Sequence, residues 1–132
     1  MKLRETQIIG QLIRDCYERG LYYQTEVPLY RSKIDLVTIN STNKEVVAIE
    51  AKISNWYRAL QQATSYTMCA NKVYLAIWHE FAHRVNTDVL DRYNIGLLSV
   101  NGFVEEIHKP KKSTEVDKNL ISEIRNSILN KN

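Results

Sequence analysis

Hydrophobic and polar positions run along this chain in blocks of differing period, and the blocks predict its elements in order. From Leu3 to Arg19 the apolar residues Ile8, Ile9, Leu12, Ile13, Cys16 and Tyr17 recur at three- and four-residue spacing, which predicts an amphipathic helix. Leu21 to Tyr30 reads as a strand, and Pro28, which cannot donate to a ladder, puts it at a sheet edge or on a bulge. Lys33–Ile39 and Glu45–Lys52 are strand-like runs joined by the polar turn Asn40–Lys44, so a hairpin is expected. Asn55 to Cys69 returns to helical spacing, with Trp56, Ala59, Leu60, Ala63, Thr67 and Ala70 on its packing face and Ser54 or Asn55 as its cap. Lys72–Trp78 reads as a buried strand, His79 to Tyr93 as a helix, Ile95–Val100 as a second buried strand and Phe103–Ile107 as a short return. Lys109–Lys112 is a basic loop, and Val116 to Leu129 is a terminal helix with Leu120, Ile121, Ile124 and Ile128 on one side.

Chemistry concentrates in the hairpin. Side chains alternate across a strand, so Glu50 and Lys52, two apart at the end of the second run, project from one face. A turn of this length brings Asp35, on the first run, alongside Glu50, with Lys52 at the rim. Two converging carboxylates repel unless a cation sits between them, and hard divalent ions prefer oxygen ligands. Glu5 falls within the apolar stripe of the first helix, and Gln62 and Tyr66 are i,i+4 neighbours on the helix after the acids. Each of these has a plainer reading: an exposed strand pair, a first-turn glutamate favoured by the helix dipole, a surface glutamine and a half-buried tyrosine.

Taken together, Asp35, fourteen intervening residues and then Glu50-Ala51-Lys52 resemble the signature of the PD-(D/E)xK nuclease superfamily, which includes restriction endonucleases, small Holliday junction resolvases and RecB-type nuclease domains. Ile34 stands where the name-giving proline would. Gln62 and Tyr66 match the Q-x-x-x-Y element that RecB-type nucleases carry after their lysine, and Glu5 matches a recurrent first-helix acid. The resemblance spans Glu5 to Tyr66 in the right order. It implies an α/β fold, a restriction-endonuclease-like mixed β-sheet flanked by helices with core order αβββαβ. It also implies a metal-dependent nuclease acting on nucleic acid, DNA being the expected substrate. Asp35, Glu50, Glu5 and the Ala51 carbonyl would then hold Mg2+ or Mn2+. Lys52 would orient the attacking water or neutralise developing charge, and Gln62 and Tyr66 would steady the site. The alternative within the family is a catalytically silent DNA-binding or assembly module.

A second motif competes. His79-Glu80-Phe81-Ala82-His83 matches H-E-x-x-H, which on a helix could hold zinc with Glu80 as general base of a peptidase. Against it, Asn86 and Val89 occupy the places of the extended motif's glycine and histidine, Arg84 follows the second histidine, and the motif begins directly after a buried strand. A surface helix is the better expectation.

Length and composition then set bounds. The 132 residues suit one domain, residues 1–132, and an ordinary apolar fraction of 44% with 25% charged residues argues against a disordered chain. A net charge of +3 permits nucleic-acid binding without requiring it. Arg31, Lys33, Arg58, Lys109, Lys111 and Lys112 are the candidate phosphate contacts, each also readable as solvated surface charge. Cys16 and Cys69 have no metal or redox spacing and read as buried thiols. The N-terminus resembles neither a signal peptide nor an anchor and no apolar run reaches membrane-spanning length, so a cytoplasmic protein with no membrane contact is expected. A homodimer is expected too, because a twofold pair of sites matches two antiparallel strands. The terminal helix offers one dimer contact, unless it packs on its own core.

Overall fold

The computed structural model describes residues 2–130. Helix α1 (Glu5–Arg19) is followed by strands β1 (Tyr22–Leu29), β2 (Ser32–Ile39) and β3 (Val46–Lys52), then helix α2 (Trp56–Ala63) running into a 3₁₀ turn, Thr64–Met68. Strand β4 (Lys72–Trp78), short helices α3 (His79–Ala82) and α4 (Thr87–Arg92), strands β5 (Gly96–Val100) and β6 (Val104–His108), and helix α5 (Lys118–Leu129) complete the order. All six strands join one sheet in sequence order; β3, β4 and β5 are parallel and the remaining pairings antiparallel. This is a mixed α/β fold of the restriction-endonuclease-like kind, with the expected αβββαβ core.

One face of the sheet is covered by α1 through Ile8, Leu12 and Cys16, packed on Leu36, Ile49, Ala51 and Ala76. The other face carries α2, the 3₁₀ turn, α3 and α5. Central strands β3 and β4 are therefore buried on both sides, which is why they read as near-continuous apolar runs. Strand β1 is an edge, as Pro28 required, and Glu26 interrupts it with a left-handed φ of 51°. Both cysteines are buried, and burial pushes each thiol up to about 11. Among the described residues, no helix is long and apolar enough to cross a membrane.

Four expectations need correction. The helix over Asn55–Cys69 ends as an α-helix at Ala63 and tightens, because Thr64, Ser65 and Thr67 hydroxyls donate to the carbonyls of Gln61, Gln62 and Thr64 and favour a shorter turn. The helix over His79–Tyr93 is two pieces. Asn86 breaks it, its side chain capping α4 by accepting from the Asp88 and Val89 N–H groups. Tyr17, counted in the α1 stripe, is exposed at the end of that helix. Finally, Ile121, Ile124 and Ile128 of α5 are buried in the chain's own core, so the apolar side offered for a dimer contact is already used.

Candidate functional site

The site forms where one ladder stops. Strands β2 and β3 pair from Ile39–Val46 to Leu36–Ile49, and one step further the same register sets Asp35 across from Glu50. Backbone pairing is not continued there. Instead an Asp35 carboxylate oxygen, Oδ2, accepts the Ala51 N–H at 2.9 Å, so a side chain satisfies the amide that the neighbouring strand would otherwise have served. Asp35 thereby locks the start of the pair's geometry to the backbone of β3.

Glu50 is 3% exposed, an unusual setting for a carboxylate. The Tyr66 hydroxyl donates to its Oε1 at 2.6 Å, and the same hydroxyl lies 3.4 Å from the Lys33 carbonyl. Burial first, and then the charge of Asp35, push the Glu50 carboxyl up to about 7, while the Tyr66 hydrogen bond and Lys52 pull the other way. Tyr66 is raised above the usual phenol range by burial and by the carboxylate it serves. Lys52, the last residue of β3, reaches α1, its Nζ 3.7 Å from Glu5 Oε1. The partners these contacts give the two carboxylates are a backbone N–H, a hydroxyl and an ammonium, and none is a sulfur.

Of the residues singled out in the sequence, Asp35, Glu50, Ala51, Lys52 and Tyr66 are brought together by these contacts. Glu5, expected as a further metal-holding acid, is exposed at the first turn of α1, reaches the group only through Lys52, and among the described residues does not join Asp35 and Glu50 as a third ligand. Gln62 is exposed, and the carboxylate's hydrogen bond comes from Tyr66. The tightening at Thr64 separates the two residues that a continuous α-helix would have kept on one edge. Arg31, Lys33 and Arg58 are exposed on elements adjoining the site, Lys33 lying 4.0 Å from Glu26. Lys109, Lys111 and Lys112 are not with them. Lys112 reaches Glu45, just before β3, so this loop sits at the opposite end of the sheet, roughly 16 Å from Glu50 at about 3.3 Å per strand residue. The sequence could not reveal that Asp35 holds the Ala51 amide, because this depends on where the ladder ends.

The histidine motif has no comparable setting. Helix α3 is four residues long, His79 packs against Trp78 with ring centres 4.8 Å apart, and His83 is exposed. Among the described residues no three or more His, Cys, Asp or Glu side chains gather as metal ligands, so zinc would lack its third protein ligand.

An open cavity of about 480 Å³ lies elsewhere, between α1 and the starts of β3, β4 and β5, lined by residues such as Leu12, Arg19, Glu45, Lys72 and Tyr74. It is not the carboxylate site: neither Asp35, Glu50 nor Lys52 lines it.

A buried glutamate beside a half-buried aspartate and a lysine, on a restriction-endonuclease-like sheet, defines the class to which comparison can be made. No family model and no curated protein sequence matches the chain. Among solved structures, SPO1766 from Silicibacter pomeroyi, a protein of unknown function, is similar over 99% of this chain and 85% of its own, with TM-score 0.73 and 18% identity. A repair endonuclease from Pyrococcus abyssi is similar over 77% of this chain, with TM-score 0.51 and 13% identity. This chain covers only 50% of that endonuclease. At these identities the likeness is one of fold.

Proposed function

We propose that the protein is a metal-dependent nuclease that hydrolyses phosphodiester bonds, with DNA as substrate. The observation that carries this is Glu50, a buried carboxylate set across from a second acid, Asp35, rather than across from a cation. A fold that held these acids for stability alone would pair them with lysines. The likeness to a repair endonuclease agrees with the reading at the level of fold.

The donor set fits magnesium or manganese: the Asp35 and Glu50 carboxylates and the Ala51 carbonyl are all oxygen. Magnesium is commonly bound by one or two carboxylates, with water and substrate phosphates completing its shell. When bound, such an ion supplies Lewis acidity at phosphate oxygens and a water acidified toward neutral pH. The chain's own residues have separate tasks. Asp35 is oriented by the Ala51 amide and Glu50 by the Tyr66 hydroxyl, so neither carboxylate must be ordered when substrate arrives. Lys52 carries positive charge toward the rim, where it can neutralise a developing phosphorane charge or hold a water. Glu5, in contact with Lys52, positions that ammonium.

The test is digestion of labelled duplex, junction, flap and single-stranded substrates with magnesium or manganese. Cleavage that requires the ion and disappears in Asp35→Asn, Glu50→Gln and Lys52→Ala supports the reading. Absence of cleavage across that panel, or cleavage indifferent to all three substitutions, overturns it.

A further inference from the structure

Two exposed tyrosines stand beside this site, each followed by an arginine. Tyr30 is 74% exposed in the two-residue turn between β1 and β2, where Leu29 pairs with Ser32, and Arg31 is next to it. Tyr57 is 57% exposed in the first turn of α2, five residues after Lys52, and Arg58 is next to it. Both elements belong to the end of the sheet where the carboxylates lie. Strand β2 leaves the Tyr30 turn and reaches Lys33, whose carbonyl lies against the Tyr66 hydroxyl that serves Glu50. Strand β3 leaves the acids and enters α2 directly.

Tyr30 also occupies an unfavourable backbone state. Its φ is 54°, left-handed, at a turn position where glycine or asparagine ordinarily stands and where a bulky aromatic is an outlier. An apolar ring held in solvent in a conformation it disfavours has no benefit to folding. A role in binding accounts for it.

We propose that Tyr30 and Tyr57 stack on unpaired bases of a DNA strand, while Arg31, Lys33 and Arg58 hold its phosphates, so that the substrate is single-stranded where it meets the acids. This rests on the nuclease reading above and narrows its substrate. Magnitudes favour a single strand. A duplex hides its base faces and must be gripped through many phosphates, whereas this chain carries a net charge of only +3 and, besides Lys52, three exposed cations near the site. Stacking one base on an aromatic ring strengthens binding roughly five- to a hundredfold, and every base has a face to offer.

The experiment is fluorescence anisotropy of labelled oligo-dT, a duplex of equal length and oligo-rU, with EDTA present to prevent cleavage, alongside thermal melts. Tyr93 is the control: 50% exposed and next to Arg92, but at the far end of the sheet, just before β5 begins. Wild type should prefer oligo-dT, with a log–log salt slope of about −2, from roughly 0.7 per phosphate for three cations. Tyr30→Asn and Tyr57→Ala should each weaken oligo-dT binding about tenfold. Duplex binding should change less than about twofold, and Tyr93→Ala should change nothing. Tyr30→Asn should melt no earlier than wild type, since asparagine suits the turn. Equal affinity for duplex, undiminished binding in both variants, or an equal loss in Tyr93→Ala overturns the proposal, and tighter binding of oligo-rU overturns its assignment to DNA. Tyrosine-dependent binding without ion-dependent cleavage keeps this proposal and removes the nuclease reading; Asp35-dependent cleavage with tyrosine-independent binding does the reverse.

Discussion

The two ends of β3 each present a glutamate, five residues apart, and the fold treats them in opposite ways. At the start, Glu45 has Lys72 at 3.6 Å and Lys112 at 3.9 Å, so its charge is met twice by cations. At the other end, Glu50 is more deeply buried, faces Asp35 and is served only by a neutral hydroxyl and a lysine beyond it. The first arrangement is what stability alone selects. The second is unfavourable by itself, and the cation proposed above would offset it. The cavity of about 480 Å³ accompanies the first end.

The largest effect should separate the two glutamates by activity. Glu50→Gln should lower ion-dependent cleavage by at least about 100-fold, the scale for removing one electrostatic group from a site, while Glu45→Gln stays within about threefold. Asp35→Asn should match Glu50→Gln and remain folded, because an amide oxygen can still accept the Ala51 N–H. Asp35→Ala should also lose about 1–3 kcal/mol, the cost of leaving that buried amide unserved.

Next in size is stability against pH. In the folded chain the Glu50 carboxyl is raised to about 7 from 4.5, so the folded state holds a proton that the unfolded state has released. Stability from this group is full below about pH 4.5 and is lost as pH rises through about 7. The loss is on the order of 3 kcal/mol, because each tenfold difference in proton affinity between folded and unfolded chain is worth about 1.4 kcal/mol. Urea melts of the metal-free protein should show this decline, Glu50→Gln should abolish it, and millimolar magnesium should counter it above pH 7. A wild type that gains stability over this window would show that Glu50 is held as a structural ion pair.

Smaller still, Glu45→Gln should cost about 0.5–1 kcal/mol in melts at any pH above 6, and less in high salt, as expected of partly exposed ion pairs. The smallest expected effect is none: purified protein should carry no stoichiometric zinc, and His83→Ala and Glu80→Gln should cleave like wild type. One zinc per chain, lost together with activity in His79→Ala and His83→Ala, would move the site to the other motif.

Much of the fold was legible in the chain itself. The period of the apolar residues predicted all six strands, Pro28 marked the edge, and a hairpin of that turn length predicted Asp35 beside Glu50. What was not legible depended on side chains competing for backbone groups or on distances between remote elements. Thr64, Ser65 and Thr67 look compatible with a helix until their hydroxyls are seen bonding back to carbonyls. Asn86 looks like any polar helix residue until it caps. The basic loop at Lys109–Lys112 joined the candidate phosphate contacts on charge alone, and only the antiparallel return of β6 reveals that it leads away from the acids.

The turn Asn40–Lys44 acquires an unexpected status from this geometry. Surface turns ordinarily tolerate insertions, since lengthening a loop costs little entropy. Here the turn sets the offset between β2 and β3, and side chains change face with every single-residue slip. One added residue transmitted into β2 would bring an apolar neighbour of Asp35 opposite Glu50 and carry the aspartate out of reach of the Ala51 amide. Five polar residues about 15 Å from the acids, at about 3.3 Å per residue, thus act as a measuring length. Among descendants of this sequence, changes of letter in that turn should be common and changes of length rare.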